Sequence, residues 1–199
     1  MVSVNWTVLT KEQYIATPWS GGVTSQLAIA PEGAVYANRD FLWRLSSATV
    51  ELEHSDFTPL PDYYRYLSVL KGEIQVKIGE DVPGALLPCQ VCYFDGGIPV
   101  ESWGTCTDFN LMLRKGLCTG KMECLRPAGA QVWMLPQLPG GYSYRDAALY
   151  CVQGTLALPG EGLSIQAGEL LLCRRMDALE VSLEGSQDAV VMACVMDAH

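Results

Sequence analysis

The residues able to do chemistry stand in three runs with strand-like spacing. In Phe41–Ser47, Arg44 and Ser46 alternate with Phe41, Trp43 and Leu45. In the run from Tyr63 to Leu70, Arg65 shares a face with Leu67 and Val69. In Asp108–Arg114, one face carries Asp108, Asn110, Met112 and Arg114, and the other Phe109, Leu111 and Leu113. Alternation at period two is the repeat of a β-strand. A guanidinium among Trp, Phe, Leu and Tyr is costly to bury without a partner. Arg44 and Arg65 therefore need acidic partners, from the protein or from a ligand. In one reading Asp108 pairs with Arg65 or Arg44 and fixes strand register. In the other the interior is open and guanidinium forks grip a carboxylate in two-point fashion. Each such charge-assisted hydrogen bond is worth about 1.5–3 kcal/mol. Trp19 and Tyr66 are candidates for an apolar wall, whereas Trp43 reads as core.

Other chemistries find little support. The chain has only two histidines, His54 and His199. The first lies in a turn-like segment and the second is the last residue, so no histidine metal site and no cofactor are expected. Cys89 and Cys92 have the CxxC spacing, but a second pair is missing and zinc wants four ligands. No serine has a histidine base with a defined neighbour, and no G-x-S-x-G elbow occurs. Gly21-Gly22 is too short for a phosphate-cradling loop and reads as a tight turn.

The elements that must position these residues are short strands. Val4–Leu9 opens the chain, and Thr10–Tyr14 suits one helical turn after a capping threonine. Thr17–Thr24 reads as a loop, Ser25–Ala30 as a strand and Pro31–Asp40 as a polar connector. Three strands follow in Phe41–Ile78. Leu86–Phe94 reads as one strand with a proline near its start. Lys115–Pro139 is the least regular stretch and reads as a bridge between halves. Strand signals resume at Ala148–Val152, Thr155–Leu158, Gly162–Gln166, Leu170–Cys173, Leu179–Leu183 and Val190–Val195, each bounded by turn residues. A weak internal repeat joins the halves. Gly72 aligns with Gly154, Leu87–Phe94 with Gln166–Cys173, and Asp108–Leu113 with Asp188–Ala193. With no long helical pattern, the expected fold is all-β, as sandwich or barrel halves.

Of 199 residues, 49% are hydrophobic and 18% charged, enough for a sizeable core. The net charge of -9, with only 13 scattered Lys and Arg, excludes a nucleic-acid surface. A local arginine pair still permits a small anionic metabolite as partner. No secretory signal and no membrane-spanning apolar stretch is visible. The eight cysteines are then expected to stay reduced, in the cytoplasm.

Four motifs in order carry a family resemblance: Pro18–Thr24, Phe41–Val50, Phe57–Gly72 and Asp108–Arg114. They resemble the PW-x-NGGG-x-T, F-x-WRLS-x-A-x-V, FP-G-x-x-R-x-L-x-L-L-x-G and DFN-x-M-x-R motifs of the HutD/Ves family. The match covers about the first 115 residues; the second half agrees only in general β pattern. The resemblance implies a bicupin, that is, two RmlC-like jelly-roll halves, here residues 1–115 and 116–199. It also implies an accessory role near histidine utilisation or stress response, with an intermediate such as formylglutamate as a candidate ligand. Two departures fall in the loop bordering the expected pocket: Ser20-Gly21-Gly22-Val23 replaces NGGG, and Gln26 replaces the usual acid.

The expected function is non-catalytic binding or sensing of a small carboxylate through Trp19, Thr24, Arg44, Ser46, Arg65, Asp108, Asn110 and Arg114. The alternative is a metal-independent enzyme, an isomerase or hydrolase, using Asp108, Glu51 or Tyr66 as acid or base. A protein-interaction scaffold is a third class. Edge strands would suit a homodimer.

Overall fold

The computed structural model describes residues 5–199. Along the chain the strands are β1 (Trp6–Leu9), β2 (Ile15–Trp19), β3 (Gly22–Ala30), β4 (Trp43–Val50), β5 (His54–Asp56), β6 (Tyr63–Gly72), β7 (Ile74–Ile78), β8 (Gly84–Leu86), β9 (Val91–Asp95) and β10 (Val100–Trp103). They continue as β11 (Cys106–Arg114), β12 (Cys118–Leu125), β13 (Gly129–Met134), β14 (Tyr144–Gln153), β15 (Thr155–Leu158), β16 (Leu163–Gln166), β17 (Leu170–Cys173), β18 (Glu180–Gly185) and β19 (Val190–Ala198). The only helical pieces among the described residues are 3-10 turns of three residues each. One is Lys11–Gln13, where Thr10 accepts from the Gln13 N–H and its own N–H donates to the Gln13 side chain. Val4, expected in the first strand, lies outside the described residues.

The chain forms two compact units. The first is Tyr14–Cys118; the second joins Thr119–His199 to the residues up to Gln13. The first unit pairs a six-stranded sheet, order β2-β3-β4-β11-β6-β9, with a four-stranded sheet, order β5-β10-β7-β8. Leu67, Val69 and Phe94 from the larger sheet meet Ile74, Val76, Leu86 and Val100 from the smaller in one apolar cluster. The second unit pairs a five-stranded sheet, order β1-β17-β14-β19-β12, with a four-stranded sheet, order β13-β18-β15-β16. Its core joins Leu149, Leu171, Val191 and Ala193 of one sheet to Leu156, Ile165, Val181 and Leu183 of the other. Each unit is thus an antiparallel sandwich, in which apolar residues at every second position face inward.

The two units repeat one strand order: β9-β6-β11-β4 matches β17-β14-β19-β12, and β5-β10-β7-β8 matches β13-β18-β15-β16. Register makes the match residue by residue. Gly72 and Gly154 both turn at positive φ, 83° and 73°. Leu67 lies beside Cys92, and Leu149 beside Leu171, so the alignment of the β9 region with Gln166–Cys173 holds. The third alignment does not. Leu67 pairs with Asn110 and Leu149 with Ala193, so Asp108 corresponds to Val191 rather than to Asp188.

Three expectations for single elements change. Thr17–Thr24 is not a loop but the turn of the β2–β3 hairpin, with Trp19 opposite Gly22. Leu86–Phe94 is two strands, split where Pro88 interrupts and Cys89 takes a φ of 68°. The stretch 115–139 holds β12 and β13, which lie at the edges of their sheets and carry mixed polar residues that blur the alternation. The strand β1 pairs with β17, which places the start of the chain in the second unit.

Candidate functional site

Three adjacent central strands of the six-stranded sheet, β4, β11 and β6, bring the predicted residues onto one face. Met112 is the centre of a rung with Arg44 on one side and Arg65 on the other. The next rung is Ser46–Asn110–Leu67, and the one after it Ala48–Asp108–Val69. Strands lie about 4.8 Å apart, so the two arginine backbones are separated by about 10 Å across Met112. Arg44, Arg65, Ser46, Asn110 and Asp108 all line one cleft of about 340 Å³. Thr24, opposite Ala48 in β3, and Trp19, at the hairpin tip, line it too.

Arg114 shares the strand face but not the cleft. It is the last residue of β11, one rung beyond Met112, where Phe41, Leu60, Tyr63 and Met112 fill the sandwich. Tyr66 points the other way and packs on Tyr93, ring centroids 4.6 Å apart. Glu51 is exposed. Trp43 is fully buried.

Arg44 and Arg65 are each only 6% exposed. Every hydrogen bond they make among the described residues goes to a neutral oxygen. Arg44 donates from Nε to Gln26 Oε1 at 2.8 Å and from Nη1 to Ser46 Oγ at 3.1 Å. Arg65 donates from Nε to Asn110 Oδ1 at 3.4 Å and from Nη1 to the Thr58 carbonyl at 3.5 Å. Asp108 does not pair with either. It sits two rungs from the arginines, about 13 Å along the strand at 3.3 Å per residue, and its Oδ1 accepts from the Ala48 N–H at 3.0 Å. The structural-pair alternative is therefore absent, and the cleft holds two guanidiniums without a bound counter-charge.

Aromatic faces take part of that charge. The Arg44 guanidinium lies 4.2 Å from the Tyr36 ring centre, and Arg39 lies 3.9 Å from the same ring. Arg65 lies 5.1 Å from Phe57 and 5.5 Å from Phe94. Such contacts stabilise a cation by about 0.5–2 kcal/mol. Tyr36 and Phe57 are wall residues that strand alternation did not place there. Tyr36 sits on a 3-10 turn inside a polar connector, where no periodicity marks it.

Burial sets the titration of the three charged groups. It lowers Arg44 to about 10, with Tyr36 opposing and Arg65 adding to the fall. It also lowers Arg65. It raises Asp108 to about 6, against the Ala48 hydrogen bond and the fields of Arg65 and Arg44. All three shifts reflect charge held out of water.

The second unit supplies an internal comparison. By register, Arg65 corresponds to Ala147, Asn110 to Ala193 and Asp108 to Val191. These three belong to the packed apolar core of that unit. The same strand order closes with small aliphatic residues at these positions, so the fold does not demand the polar set of the first unit.

The donor set does not suit a metal ion. The cleft wall includes two guanidiniums and no histidine. Among the described residues, His54, Asp56 and Glu101 form the group whose ligand atoms lie within 4.8 Å of one another. His54 and Asp56 are exposed, and Lys77 Nζ already stands 3.6 Å from Glu101.

Comparison with known proteins places this architecture. The family model described as HutD matches residues 11–191. No curated protein matches. A conserved protein of unknown function, PA5104 from Pseudomonas aeruginosa PAO1, superposes with a TM-score of 0.81 at 25% identity, covering 98% of this chain and 100% of that one. HutD from Pseudomonas fluorescens SBW25 gives 0.76 at 20% identity, covering 97% of each chain. The bacterial pirin YhhW from Escherichia coli, solved with nickel(II), gives 0.65 at 9% identity over 98% and 99% of the two chains and shares the bicupin fold.

Proposed function

The chain belongs to the HutD family, and from that premise we propose that its first unit binds a small carboxylate metabolite without catalysing a reaction. The observation that carries this reading is the pair Arg44 and Arg65, both buried in one cleft and hydrogen-bonded only to neutral oxygens. A carboxylate between the two guanidinium heads, which lean along the strands to Ser46 and Asn110 on the rung next to Asp108, supplies a negative charge, and guanidinium forks match its geometry. Trp19, Tyr36 and Phe57 supply the apolar wall that small-molecule sites combine with a few polar groups. The apolar residues Ala147, Ala193 and Val191 at the matching positions of the second unit support a functional origin of the set in the first. A reducing, cytoplasmic setting accords with eight free thiols. No helix among the described residues is long and apolar enough to cross a membrane.

The test is a thermal-shift and calorimetric screen of formate, butyrate, glutarate and formylglutamate, on the wild type and on Arg44→Gln. Expected is stabilisation of the wild type by at least one acid, lost in Arg44→Gln. If none of them shifts the wild-type transition at millimolar concentration, the carboxylate reading fails.

One observation favours a second reading. Asp108, buried in the cleft and raised to about 6, is poised for proton transfer near neutral pH. As a metal-independent isomerase or hydrolase the protein would turn over a small polar acid, and Asp108→Asn would abolish turnover while Arg44→Gln would weaken binding.

A further inference from the structure

The cleft has one acid among its buried groups, and its place is unusual. Asp108 is 8% exposed. One of its oxygens, Oδ1, is held by the Ala48 N–H at 3.0 Å, and the other has no hydrogen-bond donor among the described residues. Several groups surround it. Arg44 on β4 and Arg65 on β6 act on it through their fields, without an ion pair. Cys106 precedes it on β11, Asp56 lines the same cleft from β5, and Tyr36, stacked by Arg39, lines it from the connector. The wall therefore combines two cations with an acid that lines the cleft and has one oxygen without a hydrogen-bond donor among the described residues. An ionised Asp108 repels any anion held by the two guanidiniums. A protonated Asp108 instead becomes a donor to that anion.

We propose that the cleft takes its anion together with one proton, Asp108 becoming the protonated acid whose free oxygen donates a hydrogen bond to the bound ligand. No covalent bond changes; the proton comes from solvent and returns to it on release. The proposal rests on the carboxylate reading above and adds its regulation: the protein holds acid metabolites more tightly as pH falls.

The direction follows from linkage. Unliganded Asp108 titrates at about 6. A second negative charge in the cleft raises it further. Between those two values the complex holds more protons than the free protein, so affinity rises as pH falls. Below about 6 Asp108 is already protonated in both states and the dependence flattens.

The experiment uses two probes by isothermal titration calorimetry between pH 6 and pH 8. One is butyrate; the other is propane-1-sulfonate, whose charge is constant over that range. Titration at pH 7 in two buffers of different ionisation enthalpy measures the protons taken up. Expected is uptake of a fraction of one proton with both probes, and binding about fivefold weaker at pH 8 than at pH 6, the ratio for a one-unit rise in the Asp108 pKa from about 6 when free Asp108 is already half protonated at pH 6. Asp108→Asn keeps an acceptor for the Ala48 N–H and presents an amide donor to the cleft. It is expected to bind both probes at pH 8 as tightly as the wild type does at pH 6, with a flat pH profile and no proton uptake. A wild type that binds with zero uptake and a flat profile overturns the proposal while leaving the carboxylate reading standing. So does uptake confined to butyrate, which places the proton on the ligand, or weaker binding by Asp108→Asn at pH 8. If neither probe binds at any pH, both the carboxylate reading and this proposal fall.

Discussion

Replacing Arg65 by methionine separates a ligand-holding arginine from a structural one. A buried charge with a bonded counter-ion is expensive to orphan: removing one partner of such a pair costs about 3–5 kcal/mol. Arg65 has no such partner. Its two hydrogen bonds are long, 3.4 Å to Asn110 and 3.5 Å to the Thr58 carbonyl, and each contributes less than about 1 kcal/mol. The rings of Phe57 and Phe94, 5.1 and 5.5 Å away, add about 0.5–1 kcal/mol each. The favourable terms thus sum to about 2–3 kcal/mol. They are opposed by a desolvation cost of several kcal/mol for a guanidinium 6% exposed. Methionine keeps the unbranched stem and can lay its sulfur on the same rings. Arg65→Met should therefore leave unfolding free energy unchanged within about 1 kcal/mol, or raise it by 1–2 kcal/mol as buried ion replacements often do. Urea unfolding at pH 7, with ligand-free protein and unchanged m-value, measures this. A loss of about 3 kcal/mol or more would show that Arg65 is structural and that its charge is not held for a ligand.

The opposite behaviour is expected in the second unit. Arg145 and Asp197 form a two-point pair at 2.7 and 2.8 Å, both within 3% exposure, so Asp197→Asn should cost about 3–5 kcal/mol in the same assay. Asp108→Asn should raise stability at pH 7.5 by about 3 kcal/mol, from a pKa raised from 3.8 to about 6. The penalty of the buried carboxylate is full above about 6, shrinks as pH falls, and is gone below about 4. The wild-type and variant stabilities should therefore converge near pH 4, and parallel pH curves would contradict the burial argument. Gly22→Ala places a Cβ 1.9 Å from the Thr49 carbonyl at a φ of 147°. It should cost about 2 kcal/mol or more, read as a lower midpoint in the same urea assay.

Period-two alternation made the central strands legible, because in β4 and β11 polar side chains alternate with large apolar ones, and in β6 Arg65 stands out in an otherwise apolar row with Leu67 and Val69. It also placed Arg44, Ser46, Arg65, Asp108 and Asn110 on a common wall before any pairing was known. It could not place Arg114, because alternation gives the face of a residue and not its distance from the strand end. Tyr36 and Phe57 escaped because they reach the wall from connectors, where contact depends on tertiary path and leaves no repeat in sequence. The third repeat was misaligned because the connectors differ in length between the halves, so the offset grows from 79 residues between Cys92 and Leu171 to 83 between Asn110 and Ala193, which a near-constant offset ignores. The strands β12 and β13 were hidden by their edge positions, where polar residues are tolerated on both faces.

The pairing of β1 with β17 sets a timetable for the nascent chain. Leu9 meets Leu170, so β1 leaves the ribosome long before its neighbour exists. At about 5–20 residues per second, the intervening ~160 residues take roughly 8–30 s to synthesise. Once Cys118 has emerged, Tyr14–Cys118 has everything its own sheets need, while Trp6 and Val8 remain an unclaimed sticky end until Leu170 follows. Chaperone capture during translation should therefore centre on this leading segment, and release should coincide with the emergence of Leu170–Cys173.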